Sequence, residues 1–146
     1  MQDNAVAQFQ KNARIFPFDN VLIGNADAHG KNYSILYRKG ERRLAPFYDL
    51  VCTRVWPELS KTPAMKIGKS DSIDTITPAH WQKMSQETHI GWPMLRERIE
   101  LLCTKTLAGL RDEAVLNAPP DAAMAQRVAS IIEERTARLL QSLSER

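Results

Sequence analysis

Asp27-Ala28-His29-Gly30-Lys31-Asn32 is a polar loop set between two apolar runs, and a second acidic position, Phe47-Tyr48-Asp49, follows 22 residues after Asp27. Before the loop, Asn20-Val21-Leu22-Ile23-Gly24-Asn25 is an apolar segment that ends in glycine. After it come Tyr33-Ser34-Ile35-Leu36-Tyr37, the turn Arg38-Lys39-Gly40-Glu41-Arg42 and the returning run Leu44-Ala45-Pro46-Phe47-Tyr48. The order predicts loop, strand, turn, strand and then Asp49. Asp and Asn are ordinary turn formers, because their side chains bond their own backbone. Their order here carries more information: an Asp, an Asn five residues later and an Asp beyond a short hairpin form a layout used in phosphoryl transfer. In such sites the first Asp orients or deprotonates a hydroxyl, while the Asn and the second Asp hold magnesium. Two hard-oxygen ligands suit Mg²⁺, which keeps the rest of its shell for water and phosphate.

The run Leu22-Ile23-Gly24-Asn25-Ala26-Asp27-Ala28-His29-Gly30-Lys31-Asn32-Tyr33-Ser34, with Leu44-Ala45-Pro46-Phe47-Tyr48-Asp49-Leu50, resembles the HipA family of bacterial serine/threonine kinases, the toxins of HipBA-type toxin–antitoxin pairs. Met65-Lys66-Ile67-Gly68, Ile76-Thr77 and His80-Trp81 are similar to the family's segment after the metal-binding Asp, whereas the helical tail from about Trp92 agrees only in general character. The resemblance implies a mainly α (α+β) fold: a kinase-like C-lobe with a small β-hairpin bearing the catalytic and metal-binding loops, followed by a helical subdomain. It implies Asp27 as catalytic base and Asn32 and Asp49 as magnesium ligands on the nucleotide. His29 and Lys31 lie in the same loop, one to steady Asp27 or to meet the transferring phosphate, Lys31 as a point charge. Asn25 and Tyr48 are expected to shape the site without reacting. The implied ligands are Mg²⁺ and ATP, and the implied substrate is a protein serine or threonine.

A complete kinase also needs a glycine-rich phosphate loop and a strand lysine. The glycines at 24, 30, 40, 68, 91 and 109 form no G-x-G-x-x-G or G-x-x-x-x-G-K-[ST] pattern. The expectation is one domain over 1–146, with a catalytic segment at 1–60, an irregular loop at 61–76, a helical tail at 77–146 and no N-lobe. Such a chain would have little kinase activity alone. Its partners would be a HipB-like antitoxin, a missing N-lobe subunit or a second copy, since surface near 18–26 and 44–50 would be uncovered. Two other readings compete: a non-catalytic kinase remnant that docks an antitoxin or sibling kinase, and a small-molecule or lipid kinase.

Composition narrows the partners. A 146-residue chain with 43% apolar and 25% charged residues can build one real core. The net charge of +3 is spread along the chain, with no basic stripe to support direct nucleic-acid binding. Cys52 and Cys103 form no disulfide framework, and no run approaches the ~20 residues of a membrane span, so a cytoplasmic location is expected. Cys103 reads as core, Cys52 as a neighbour of the site. His29, His80 and His89 share no metal-ligand spacing.

Periodicity predicts a helix from Asp3 to about Phe16, and Pro17 bending it or opening a second turn into Phe18–Ile23. Val51 to Asp74 reads as irregular, with Ser60, Thr62, Ser70 and Ser72 as polar loop residues open to phosphorylation. Thr77-Pro78 caps a helix to about Glu87 with Trp81 and Met84 inward. Trp92-Pro93 opens a helix to about Leu116, with Leu95, Ile99, Leu102, Cys103, Thr106 and Leu110 on one face. Asn117-Ala118-Pro119-Pro120 breaks it. Asp121 caps the last helix, which would bury Ala125, Val128, Ile131, Ile132, Leu139, Leu140 and Leu143.

Overall fold

The computed structural model describes residues 17–38, 40–112 and 121–145. The helix expected over Asp3–Phe16 and the break expected at 117–120 lie outside the described residues. Among the described residues four α-helices dominate: α1 (Pro17–Ile23), α2 (Pro78–Thr88), α3 (Trp92–Gly109) and α4 (Ala122–Ser144). One antiparallel hairpin, β1 (Ile35–Arg38) with β2 (Glu41–Leu44), stands among them. The chain is therefore mostly helical with little sheet.

The helix starts follow local chemistry. Thr77 precedes Pro78, whose fixed φ suits a first helical position, and the Thr77 backbone N–H donates to His80 Nδ1 at 3.1 Å. α2 ends where His89 turns left-handed, at φ 55°. The Asp121 carboxylate accepts from the Met124 N–H at 2.9 Å and so caps α4. α3 stops at Gly109, short of the end expected near Leu116, because glycine weakens a helix interior.

The hairpin register differs from the expected one. The Arg38–Arg42 segment was expected to be turn, yet Ile35 pairs with Leu44 and Tyr37 with Arg42, so Glu41–Leu44 is the second strand. Gly40, at φ 81°, permits the tighter reversal. Ala45–Tyr48 continues beyond the strand, with the Ala45 N–H donating to Ser34 O at 2.8 Å. The whole of β1 is exposed, so no alternation of apolar and polar residues marked the register. Arg42 lies 5.8 Å from the ring centre of its cross-strand partner Tyr37.

The core joins segments far apart in sequence. Phe18, Val21 and Leu22 of α1 pack with Ile67 and Ile73, with Trp81 and Met84, with Leu95, Ile99 and Cys103, and with Leu139 and Leu143. Phe18 and Trp81 meet at 4.4 Å between ring centres. Full burial of Phe18, Leu95 and Ile99 stabilises by about 1.5–3 kcal/mol each. Of the apolar positions expected to be buried on α4, only Leu139 and Leu143 are, while Ala125, Val128, Ile131, Ile132 and Leu140 are half-buried. Val51–Asp74, read as irregular, contains two 3₁₀ turns, Thr53–Val55 and Ile73–Thr75, and supplies Val55, Ile67 and Ile73 to the interior.

Gly68 is a demanding point. Its φ is +52°, and a Cβ there would lie 2.2 Å from the carbonyl oxygen of His80 in the first turn of α2. Backbone cannot yield as a flexible side chain can. Gly68→Ala is expected to cost about 3 kcal/mol or more through strain and overlap, read as a lowered urea midpoint at unchanged slope.

Candidate active site

α1 ends at Ile23, and Gly24, at φ 75°, turns the chain into the polar loop. Asn25, the next residue, organises that loop. It is buried, and its Oδ1 accepts from the Asp27 backbone N–H at 3.1 Å. Its Nδ2 donates to Asn20 Oδ1 at 2.9 Å and to the Asp49 carbonyl at 3.1 Å. Asn20 in turn donates to the Tyr33 hydroxyl at 2.8 Å. A buried chain of amides thus ties the start of the loop, its far end and the second acidic position together.

The expected site residues fall into two pairs. Asp27 is 75% exposed in its side chain, and its Oδ1 meets His29 Nε2 at 2.9 Å. Asn32, buried in the Gly30–Asn32 3₁₀ turn, donates from Nδ2 to Asp49 Oδ2. Lys31 is exposed on the same turn. Asn25 joins the two pairs through the backbones of Asp27 and Asp49. Asp49 sits at φ 59°, a left-handed conformation that costs a non-glycine residue roughly 1 kcal/mol or more. Tyr48 holds the loop from outside: its hydroxyl donates to the Lys31 carbonyl at 3.0 Å and lies 2.8 Å from Ser34 Oγ. Asn25 and Tyr48 therefore shape the loop.

Sequence reasoning missed three supports. Thr53 is buried; its Oγ1 accepts from the Ala26 N–H at 3.0 Å and donates to the Gly24 carbonyl at 2.9 Å. Arg54 packs on Gly24 so closely that an added Cβ would lie 2.7 Å from its Cγ. Arg135, from α4, donates through Nε to the Val21 carbonyl at 3.0 Å and through Nη1 to Asp74 at 2.5 Å. The only signal available for Arg135 was a charge amid apolar positions of α4. For Thr53 and Arg54 it was mere nearness to Asp49.

Other expected positions are assigned by burial. Ser70 is buried with its hydroxyl on the Ser72 carbonyl, and Ser72 Oγ accepts from the Asp74 N–H, so both act as loop ties. Burial pushes the Cys52 thiol up, and pushes Cys103 up to about 11, which makes both poor nucleophiles. A cavity of about 250 Å³ opens between α1, the Ile73–Thr75 turn and α4, but Asp27, Asn32 and Asp49 do not line it. Among the described residues no three His, Cys, Asp or Glu side chains gather as a metal cluster. No described helix is long and apolar enough to cross a membrane.

Residues 2–113 match the HipA-like C-terminal domain, and the chain belongs to that family. It is 44% identical over 87 residues to the "Putative kinase Y4mE" of Sinorhizobium fredii, covering 60% of this chain and 21% of that protein. It is 35% identical over 74 residues to the "Serine/threonine-protein kinase toxin HipA" of Shewanella oneidensis, covering 51% of this chain and 17% of that protein. The fold is similar to HipA in a solved complex of Shewanella oneidensis HipA, HipB and operator DNA, with a TM-score of 0.83 at 24% identity. That match covers 96% of this chain and 33% of the solved one. The chain thus spans about a fifth of the length of the curated relatives it matches.

The network behind the loop is expected to weaken in acid. Asp74 faces Arg135 Nη1, Arg54 Nε at 3.3 Å and Lys61 Nζ at 3.4 Å. Burial raises its pKa, but the Arg135 bond and charge, with Arg54 and Lys61, overcome burial and hold the carboxyl below its ordinary 3.8. A depressed folded pKa contributes stability above the unfolded value and loses it as pH falls through the folded one. Asp74→Asn is therefore expected to cost about 1–3 kcal/mol at pH 7 and to flatten the stability loss below pH ~4. Urea unfolding of both proteins between pH 3 and 7 measures this.

Proposed function

We propose that this chain is the catalytic, C-terminal part of a HipA-like serine/threonine protein kinase that transfers the ATP γ-phosphate to a protein hydroxyl. The observation that carries the reading is the convergence of Asn32 with Asp49 on one side of the Asn25 bracket and the exposure of Asp27 on the other. Asp27 takes the role of base toward the incoming hydroxyl, and His29 holds its carboxylate through the 2.9 Å contact. Lys31, exposed beside it, supplies positive charge to the transferring group.

Asn32 and Asp49 fit magnesium by donor chemistry. Both offer hard oxygens, and the two side chains already touch. Asn32 presents its amide nitrogen to Asp49, so its Oδ1 is left to turn toward a cation; two protein ligands are enough where phosphate and water complete the shell. Magnesium, when bound, neutralises charge on the phosphate oxygens.

The kinase domain would be completed by an N-terminal half that carries the phosphate loop, in one polypeptide or as a separate subunit, and a HipB-like antitoxin is the proposed regulatory partner. Exposed apolar residues on the hairpin and the stretch after it support a partner. Ile35, Leu36, Tyr37, Phe47, Tyr48, Leu50, Val51, Trp56 and Leu59 are all exposed, more apolar area than scattered surface residues explain. The expected uncovered surface at 18–26 is corrected here: Phe18, Asn20, Val21, Leu22, Asn25 and Ala26 are buried within this chain, and of the stretch 44–50 only 46–50 is exposed. The same exposed residues would allow a docking role without catalysis.

In the kinase assembled with its N-terminal half, Asp27→Asn is expected to lower transfer by about 10²–10⁴-fold while nucleotide still binds. Asp49→Ala is expected to weaken Mg-ATP binding as well. Radiolabelled transfer and isothermal titration separate the two effects, and normal transfer by Asp27→Asn would remove the base assignment. The 146-residue chain alone is expected to show little or no turnover. Its exposed apolar residues are expected to drive self-association, visible as mass rising with concentration in light scattering; a monomer at all concentrations counts against an open docking surface.

A further inference from the structure

Two segments must keep a fixed relation if the proposed site is to work: the loop from Gly24 to Asp27 and the stretch from Asp49 onward. Asn25 makes the first tie between them, through the Asp49 carbonyl. A single tie is a pivot, about which Asp27 could swing relative to Asp49. The second tie lies four residues further on. Thr53 Oγ1 accepts from the Ala26 N–H and donates to the Gly24 carbonyl, the peptide groups on either side of Asn25. The Arg54 N–H adds a longer bond to the same carbonyl, at 3.3 Å.

The hydroxyl is used in both directions. Only a side chain that accepts and donates from one atom satisfies both groups here, so serine can replace threonine and valine cannot. Ala26 is buried, and without Thr53 its N–H has no water within easy reach. An ångström-scale shift of a reacting group is enough to cost catalysis heavily.

We infer that Thr53 is a positioning residue of the phosphotransfer site, the second point of a clamp that holds the Asp27 loop in register with Asp49. This rests on the kinase reading above. Its test is chosen to fail separately from that reading. In metal-free ¹⁵N spectra of this chain, the Asn32 side-chain amide reports its bond to Asp49, and Asp49→Ala gives its position without the bond. Thr53→Val is expected to move the Asn32 signal at least halfway to that position. It is also expected to speed Ala26 amide exchange about tenfold or more, with a cooperative urea transition retained. Thr53→Ser is expected to restore both. An Asn32 signal unmoved in Thr53→Val, or moved as far in Thr53→Ser, overturns the inference, even if Ala26 exchange rises. Should Thr53→Val not fold, Thr53→Ala, which leaves room for a water, is read by the same signal.

Titration of the unmutated chain with Mn²⁺ tests the underlying reading by itself. Selective broadening at Asn32 and Asp49 supports the metal site. Its absence removes the metal assignment, while the metal-free spectra still decide the role of Thr53.

Discussion

The buried Asn25 side chain is the contact on which the candidate site depends. A primary amide has two donors and one oxygen that accepts twice. Asn25 uses them on Asn20, on the Asp49 carbonyl and on the Asp27 N–H. An aspartate would lose the donors and a leucine everything, and each would leave buried polar groups unpaired. Asp27, Lys31 and Asp49 are exposed, so little packing holds them. Their geometry is inherited from amides one layer below, where water does not compete.

That layer is itself mounted on the hydrophobic core. α1 contributes Phe18, Val21 and Leu22 inward and Asn20 to the polar chain, so one short helix serves both. Arg135 and Arg54 close the arrangement from behind, with Asp74 between them. A buried ionic group of this kind is weak evidence for net stability but good evidence for a specified geometry. Here the Arg135 guanidinium also binds the Val21 and Ile73 carbonyls, which locks the end of α1 to the segment before α2.

How much could be read from the sequence depends on how local each signal is. The order of Asp27, Asn32 and Asp49 is a pattern that sequence alone presents, and the structure brings Asn32 to Asp49. The helix starts at Thr77-Pro78 and Asp121 were legible because caps are local. The hairpin register was not, since both faces of β1 meet solvent and Arg42 looks like turn. Nor were Thr53 and Arg135: a threonine in a mixed segment and an arginine on an amphipathic helix gain meaning only from partners 27 and 114 residues away. The expected exposure of 18–26 failed for the same reason, because burial there comes from Trp81, Leu95 and Leu139 rather than from neighbours in sequence.

The bond from Arg135 to Val21 has a consequence for how the molecule is made. The residues that begin the loop leave the ribosome well before α4, which carries the guanidinium that fixes them. Contacts of such separation form late, after the entropy of closing a long loop has been overcome. A nascent chain therefore carries Asp27 and Asn32 long before it can hold them in place. Maturation of the site waits on the synthesis of α4, and a polypeptide that lacked α4 would keep every residue of the motif without the means to aim them.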